Sequence, residues 1–123
     1  MAKILIAEDD DAIRELVIRA LDEDGHELTA AADGAAALEA MNRQDGEFDL
    51  LLSDVKMPVM DGIALALAAA RDHPDTDIML MTGYADQRER ARGLDALVHD
   101  VIAKPFSVNQ IKDAVREALI VSR

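Results

Sequence analysis

The sequence predicts a doubly wound α/β domain built on a five-stranded parallel sheet. Short apolar runs of strand length recur at residues 4–7, 28–32, 50–52, 78–81 and 101–103, about 25 residues apart, an interval that holds one strand, one helix and two loops. Between two pairs of these runs the apolar residues follow a helical period: Ile13, Leu16, Val17, Ala20 and Leu21 fall at i, i+3, i+4, i+7 and i+8, and Ile111, Ala114, Val115, Ala118 and Leu119 repeat the scheme. Leu50-Leu51-Leu52 is apolar on both faces, which suits a strand in the middle of a sheet covered by helices on both sides. In such sheets ligands bind at the carboxyl ends of the strands where strand order reverses, so the chemistry is sought just after each strand.

The elements follow in order. The first strand, over 4–7, runs into Glu8-Asp9-Asp10-Asp11, where one Asp caps the next helix and others favour its positive N-terminal end. Gly25 stops that helix. Residues 35–41 and 63–71 are rich in Ala and Leu, good helix formers, whereas 86–97 carries Arg88, Arg90 and Arg92, is interrupted by Gly93, and has the weakest helical pattern. The last helix is expected to reach nearly to Arg123. Pro58, Pro74 and Pro105 sit beside the apolar runs, where turns are expected, and no repeat or low-complexity linker divides the chain. One domain over residues 1–123, with no further domain, is expected.

Composition narrows the function. Twenty-five acidic against thirteen basic side chains leave a net charge of -12, and a surface this acidic repels nucleic-acid phosphates and anionic lipid. Neither a nucleic acid nor a membrane is expected as partner. With one Tyr, two Phe, no Trp and six Met, the core must be aliphatic. The absence of Cys rules out disulfides and thiolate metal sites. The apolar run near the N-terminus is too short for a signal peptide, and nothing approaches the ~20 apolar residues of a membrane span, so a cytoplasmic protein is expected.

Four acids after the first strand exceed what capping needs, and Ser53-Asp54-Val55-Lys56-Met57-Pro58 places another carboxylate after the third. In this topology those two strands are neighbours and their terminal carboxylates converge. Two such charges about 4 Å apart repel by roughly 4 kcal/mol at an effective dielectric near 20. A divalent cation relieves that repulsion, and oxygen ligands without Cys or His point to a hard ion such as Mg2+. An ion there would support phosphoryl chemistry at Asp54. After the fourth strand, Met81-Thr82-Gly83-Tyr84-Ala85 offers a hydroxyl beside a glycine; after the fifth, Ala103-Lys104-Pro105-Phe106 offers an ammonium. Singly, Thr82 reads as a turn residue and Lys104 as a solvated charge. Together they face a carboxylate pair and suit an anionic group attached at Asp54.

With these residues in place, the whole chain resembles the receiver domain of two-component response regulators, the CheY-like branch of the flavodoxin-like folds. The resemblance rests on Glu8-Asp9, on Asp54 followed by Met57-Pro58 and Asp61-Gly62, on Thr82, and on Lys104-Pro105-Phe106. It implies strand order 2-1-3-4-5 and phosphoryl transfer from the phosphohistidine of a histidine kinase or phosphotransferase onto Asp54. It further implies Mg2+ held by Asp9, Asp54, the Lys56 backbone carbonyl and, through water, Glu8. Thr82 and Lys104 would contact the phosphoryl oxygens, and the Lys104-Pro105 bond would be cis. Asp10 and Asp11 are left to helix capping. The chain departs from the family pattern at Val101, where many receivers carry Tyr or Phe; Tyr84, two residues after Thr82, is a candidate to take over some of that readout or to shield the acyl phosphate from water. Phosphorylation would change protein contacts, as a monomer or through a phosphorylation-dependent dimer.

Within the family the Ala7 to Asp11, Met81 to Ala85 and Val98 to Phe106 segments are similar to CpdR-type regulators of alphaproteobacteria, which implies a role in ClpXP-dependent proteolysis. A shuttle within a phosphorelay is the competing reading. A Mg2+-dependent phosphatase of the haloacid-dehalogenase type needs Asp-x-Asp, but Lys56 stands where the second acid after Asp54 should be. A flavin binder needs a phosphate-cradling loop where this chain has four acids. No enzyme acting on an external substrate is expected; the chain would catalyse only its own phosphorylation and dephosphorylation. His26, His73 and His99 follow no metal-ligand spacing. Arg88, Arg90 and Arg92 either solubilise their helix or touch a partner.

Overall fold

The structure, a computed structural model, describes residues 2–43, 47–83, 93–94 and 96–121. Along the chain come β1 (Lys3–Ala7), α1 (Asp11–Glu23), β2 (Glu27–Ala31), α2 (Gly34–Arg43), β3 (Leu50–Asp54), α3 (Gly62–Asp72), β4 (Asp77–Thr82), β5 (Asp100–Ala103) and a last helix, α4 (Val108–Val121). All strand pairs are parallel, in the order β2-β1-β3-β4-β5. This is the order the resemblance implies, and the chain direction reverses its march across the sheet between β1 and β3.

Alternation along the strands divides the core into two layers. Ile4, Ile6, Leu50, Leu52, Met79 and Met81 face α1 and α4, meeting Val17, Leu21, Ile111 and Val115. Leu5, Ala7, Leu51, Ile78 and Leu80 face the other way, onto Ala37, Met41, Leu65 and Ala69 of α2 and α3. Each fully buried aliphatic side chain contributes about 1.5–3 kcal/mol, so Leu51→Ala, which would also leave a cavity between β3 and the α2–α3 layer, should cost roughly 2–5 kcal/mol.

The strands run one or two residues beyond the apolar stretches because backbone pairing carries on through polar side chains: Asp54 pairs with Met81 and Thr82 with Ala103. Helix ends follow local chemistry. Asp10 caps α1, its carboxylate accepting from the Ala12 and Ile13 amides at 2.9 and 3.0 Å. Gly25 ends that helix with φ +79°, where a side chain would be strained. Across the same layer Lys112 reaches Glu23 at 2.8 Å and Arg116 grips Asp24 through two bonds, holding that carboxyl below its ordinary value.

Most of the helix expected over 86–97, with Tyr84, Arg88, Arg90 and Arg92, lies outside the described residues. Its far end is turn: Gly93, Leu94, Ala96 and Leu97 are not helical, and the Leu97 and Val98 amides both close onto the Leu94 carbonyl, at 2.8 and 2.9 Å. No helix among the described residues is long and apolar enough to cross a membrane.

Candidate functional site

Register assembles the site. Ala7 lies opposite Ser53, Asp54 opposite Met81 and Thr82 opposite Ala103, so the residues that leave β1, β3, β4 and β5 share one edge of the sheet. Glu8 is fully buried there. Its Oε1 accepts from Lys104 Nζ at 2.6 Å and its Oε2 from the Asp10 amide at 3.1 Å, while Arg14 donates to its backbone carbonyl. Burial pushes the Glu8 carboxyl from 4.5 up to about 7, with the Asp54 charge adding to the rise and the bonds from Lys104 and Asp10 opposing it.

Asp54 is 6% exposed. Its Oδ1 accepts the Val55 amide at 3.0 Å and lies 3.1 Å from Lys104 Nζ. Burial alone would lower the Lys104 ammonium, but its bond to Glu8 and the two carboxylates outweigh that and hold it above 10.5. Asp9 is exposed, yet Glu8, Asp9 and Asp54 each present an oxygen within 4.8 Å of the others. A donor set of three carboxylates fits a hard divalent cation of the Mg2+ kind.

The acids open into a cleft of about 520 Å³, lined also by Asp10, Lys56, Gly83 and Lys104, and on one side by Ile13, Leu16, Pro105 and Phe106. The first two were legible as amphipathic-helix residues; that their half-buried side chains wall the cleft was not. Lys56 follows the strand end with its side chain exposed. Lys104-Pro105 is cis, as expected. Thr82 does not line the cleft: its hydroxyl is buried and has no hydrogen-bond partner among the described residues. Val101 is half-buried against the α2–α3 layer. Asp10 and Asp11 serve α1 as expected, Asp10 as cap and Asp11 as partner of Arg14.

Two residues that carried no assigned role hold Asp54 from behind. Ser53, fully buried, donates its hydroxyl to the Asp54 carbonyl at 2.9 Å. Gly62 donates its amide to Val55 at 2.7 Å, and a Cβ on it would stand 2.0 Å from the same Asp54 oxygen, so only glycine lets the start of α3 approach. The Ser-Asp pair and the Asp61-Gly62 pair were visible in the sequence, but only the folded loop brings them to one carbonyl.

A doubly wound sheet with three converging carboxylates, a lysine and a threonine at its carboxyl edge defines a class, and the comparisons agree: the sequence matches the response regulator receiver domain over residues 4–116, so this chain belongs to that family of two-component proteins. It is 37% identical to the response regulator receiver protein CpdR of Brucella abortus, over 98% of both chains. It is 34% identical to sporulation initiation phosphotransferase F of Bacillus subtilis, over 95% of this chain and 93% of that one. The sensor kinase CckA of B. abortus is 40% identical, but the chain spans only 12% of that protein's length. Among solved structures, a CheY-like receiver domain protein from Methanospirillum hungatei superimposes with a TM-score of 0.88 at 29% identity, covering 99% of this chain and 96% of that one.

Proposed function

We propose that this receiver accepts a phosphoryl group on Asp54 from a phosphohistidine and uses it to switch protein contacts. One observation carries the reading: the Glu8, Asp9 and Asp54 carboxylates gather within 4.8 Å with Lys104 ion-paired to two of them. An Asp54 oxygen attacks phosphorus, the P–N bond breaks, and the imidazole leaves neutral when its other nitrogen carries a proton. The product is an acyl phosphate on Asp54. The nucleophile is a carboxylate oxygen, so the step calls on no separate general base. Hydrolysis reverses the state: water attacks phosphorus, releasing inorganic phosphate and restoring the carboxylate. Phosphodonor and water are the only co-reactants, and the chain would catalyse only its own phosphorylation and dephosphorylation.

Glu8, Asp9, Asp54 and the Lys56 backbone carbonyl would hold Mg2+, which when bound neutralises charge on the phosphoryl oxygens. Lys104 would turn its ammonium to the same oxygens. The Thr82 hydroxyl, buried and without a partner among the described residues, is an unmet donor at the end of β4, and an unmet buried polar group costs roughly 1–3 kcal/mol. Moving it onto a phosphoryl oxygen would draw the loop after β4 inward. Incubation with a small phosphodonor and Mg2+ should add one phosphoryl mass to the chain and none to Asp54→Ala. Equal labelling of both would overturn the assignment.

For the output, likeness to CpdR along nearly its whole length supports a cytoplasmic regulator of ClpXP-dependent proteolysis, with a histidine kinase or phosphotransferase upstream. Likeness to sporulation initiation phosphotransferase F supports a relay that hands the phosphoryl group to another histidine. Phosphorylated protein mixed with ClpXP and a substrate, and separately with a histidine phosphotransferase, distinguishes them. A phosphorylation-dependent change in degradation marks the first, and loss of label to the phosphotransferase the second.

A further inference from the structure

Resting on Asp54 as phosphoacceptor, we infer that Ser53 is a positioning residue for that reaction, acting through the peptide that follows Asp54. The Ser53 hydroxyl is fully buried and donates to the Asp54 carbonyl at 2.9 Å. Gly62 packs so closely that even a methyl group there would sit 2.0 Å from the same oxygen. The carbonyl is therefore held in direction as well as in place. A peptide unit is planar, so fixing the Asp54 carbonyl also fixes the Val55 N–H that leaves the opposite edge of that plane. That N–H is the group that donates to Asp54 Oδ1 at 3.0 Å, and it is shared with the Met81 carbonyl at 3.1 Å.

The chain of contacts thus runs from the Ser53 hydroxyl to the Asp54 carbonyl, through the peptide plane to the Val55 amide, and on to one oxygen of the nucleophilic carboxylate. With Oδ1 held by that amide and by Lys104, the carboxylate plane is set before any phosphodonor arrives. Transfer depends on the reacting atoms being aligned, so a carboxylate free to rotate reacts more slowly even where metal and donor still bind. Ser53 touches none of the reacting atoms. Its side chain lies within the sheet, where β3 register sets it opposite Ala7 and Leu80.

The test compares Ser53→Ala with Ser53→Thr, which keeps the hydroxyl. Ser53→Ala should slow phosphorylation by a small phosphodonor about three- to tenfold at saturation, the range one neutral hydrogen bond carries, with the half-saturating donor and Mg2+ concentrations unchanged. Ser53→Thr should restore the rate. A wild-type rate in Ser53→Ala, or an equal slowing in both variants, would overturn the inference. The second readout does not need phosphorylation: the Val55 amide and Asp54 side-chain carboxyl NMR shifts should move in Ser53→Ala and return in Ser53→Thr, and unmoved shifts would overturn it equally. If the wild-type chain accepts no phosphoryl group, the phosphoacceptor reading fails, and the NMR shifts alone decide Ser53.

Discussion

Lys104 Nζ stands 3.1 Å from Asp54 Oδ1, joining the residue after β5 to the end of β3 across the intervening strand β4. The same ammonium binds the fully buried Glu8 at 2.6 Å, so one cation holds two carboxylates at the sheet edge. Removing it leaves them facing each other in a poorly hydrated place. Lys104→Met should therefore destabilise the metal-free protein by roughly 1–3 kcal/mol near pH 8, read as a lower urea midpoint. The loss should shrink at pH 5, where Glu8, held up to about 7, is protonated in the parent too. A pH-independent midpoint difference would show that the pair does not act as described.

Asp9 is the exposed member of the acidic group, and its carboxylate has no structural duty comparable to those of Glu8 and Asp54. Millimolar Mg2+ should raise the thermal midpoint of the parent protein by mass action, since the folded state alone gathers the ligands. Asp9→Asn should fold normally and lose most of that Mg2+-dependent rise. An undiminished response in the variant would remove Asp9 from the ligand set.

Val59 lies in the loop after Asp54 with φ +70° and is 84% exposed. The Met60 amide closes onto the Pro58 carbonyl at 2.8 Å around it, a tight three-residue turn. A β-branched residue at positive φ is strained by about 1–2 kcal/mol, part of which glycine would relieve after its own entropic penalty. Little packing is lost with so exposed a side chain. Val59→Gly should raise the urea midpoint by up to ~1 kcal/mol in stability; a lower midpoint would mean that the valine stabilises the loop in some other way.

The half-buried His26 ring accepts the Ala2 amide on Nδ1 at 3.2 Å. Burial, opposed by the neighbouring Asp24 charge, lowers its pKa below 6.5. A depressed pKa on a base favours the neutral ring in the fold, so this contribution is present above pH 6.5 and is lost as pH falls through the lower folded value. The parent should lose more stability between pH 7.5 and pH 5 than His26→Gln, which cannot titrate. Equal losses in urea unfolding would contradict the role of the ring.

The apolar spacing alone marked five strands, the burial of β3 on both faces and the helices α1 and α4, because periodicity and burial are local properties written residue by residue. It also located the acids after β1 and β3 and the groups after β4 and β5, since a strand end is as legible as the strand. The helix over 86–97 was weakly patterned for the same reason: its arginines and Gly93 break the apolar period, and the turn at Leu94 shows the expected end to be too long.

What only the tertiary structure decided depends on register and close approach. Lys104 reaching both Glu8 and Asp54, the rise of the Glu8 carboxyl toward neutrality and the Thr82 hydroxyl left without a partner among the described residues exist only once β1, β3, β4 and β5 lie side by side. The grip of Ser53 and Gly62 on one carbonyl, and the strained turn at Val59, belong to a loop whose path no spacing of residue types describes. Sequence pattern reports which side of an element meets water. Distances between residues far apart in the chain follow from how the strands pair and pack, and the chemistry of this site is made of those distances.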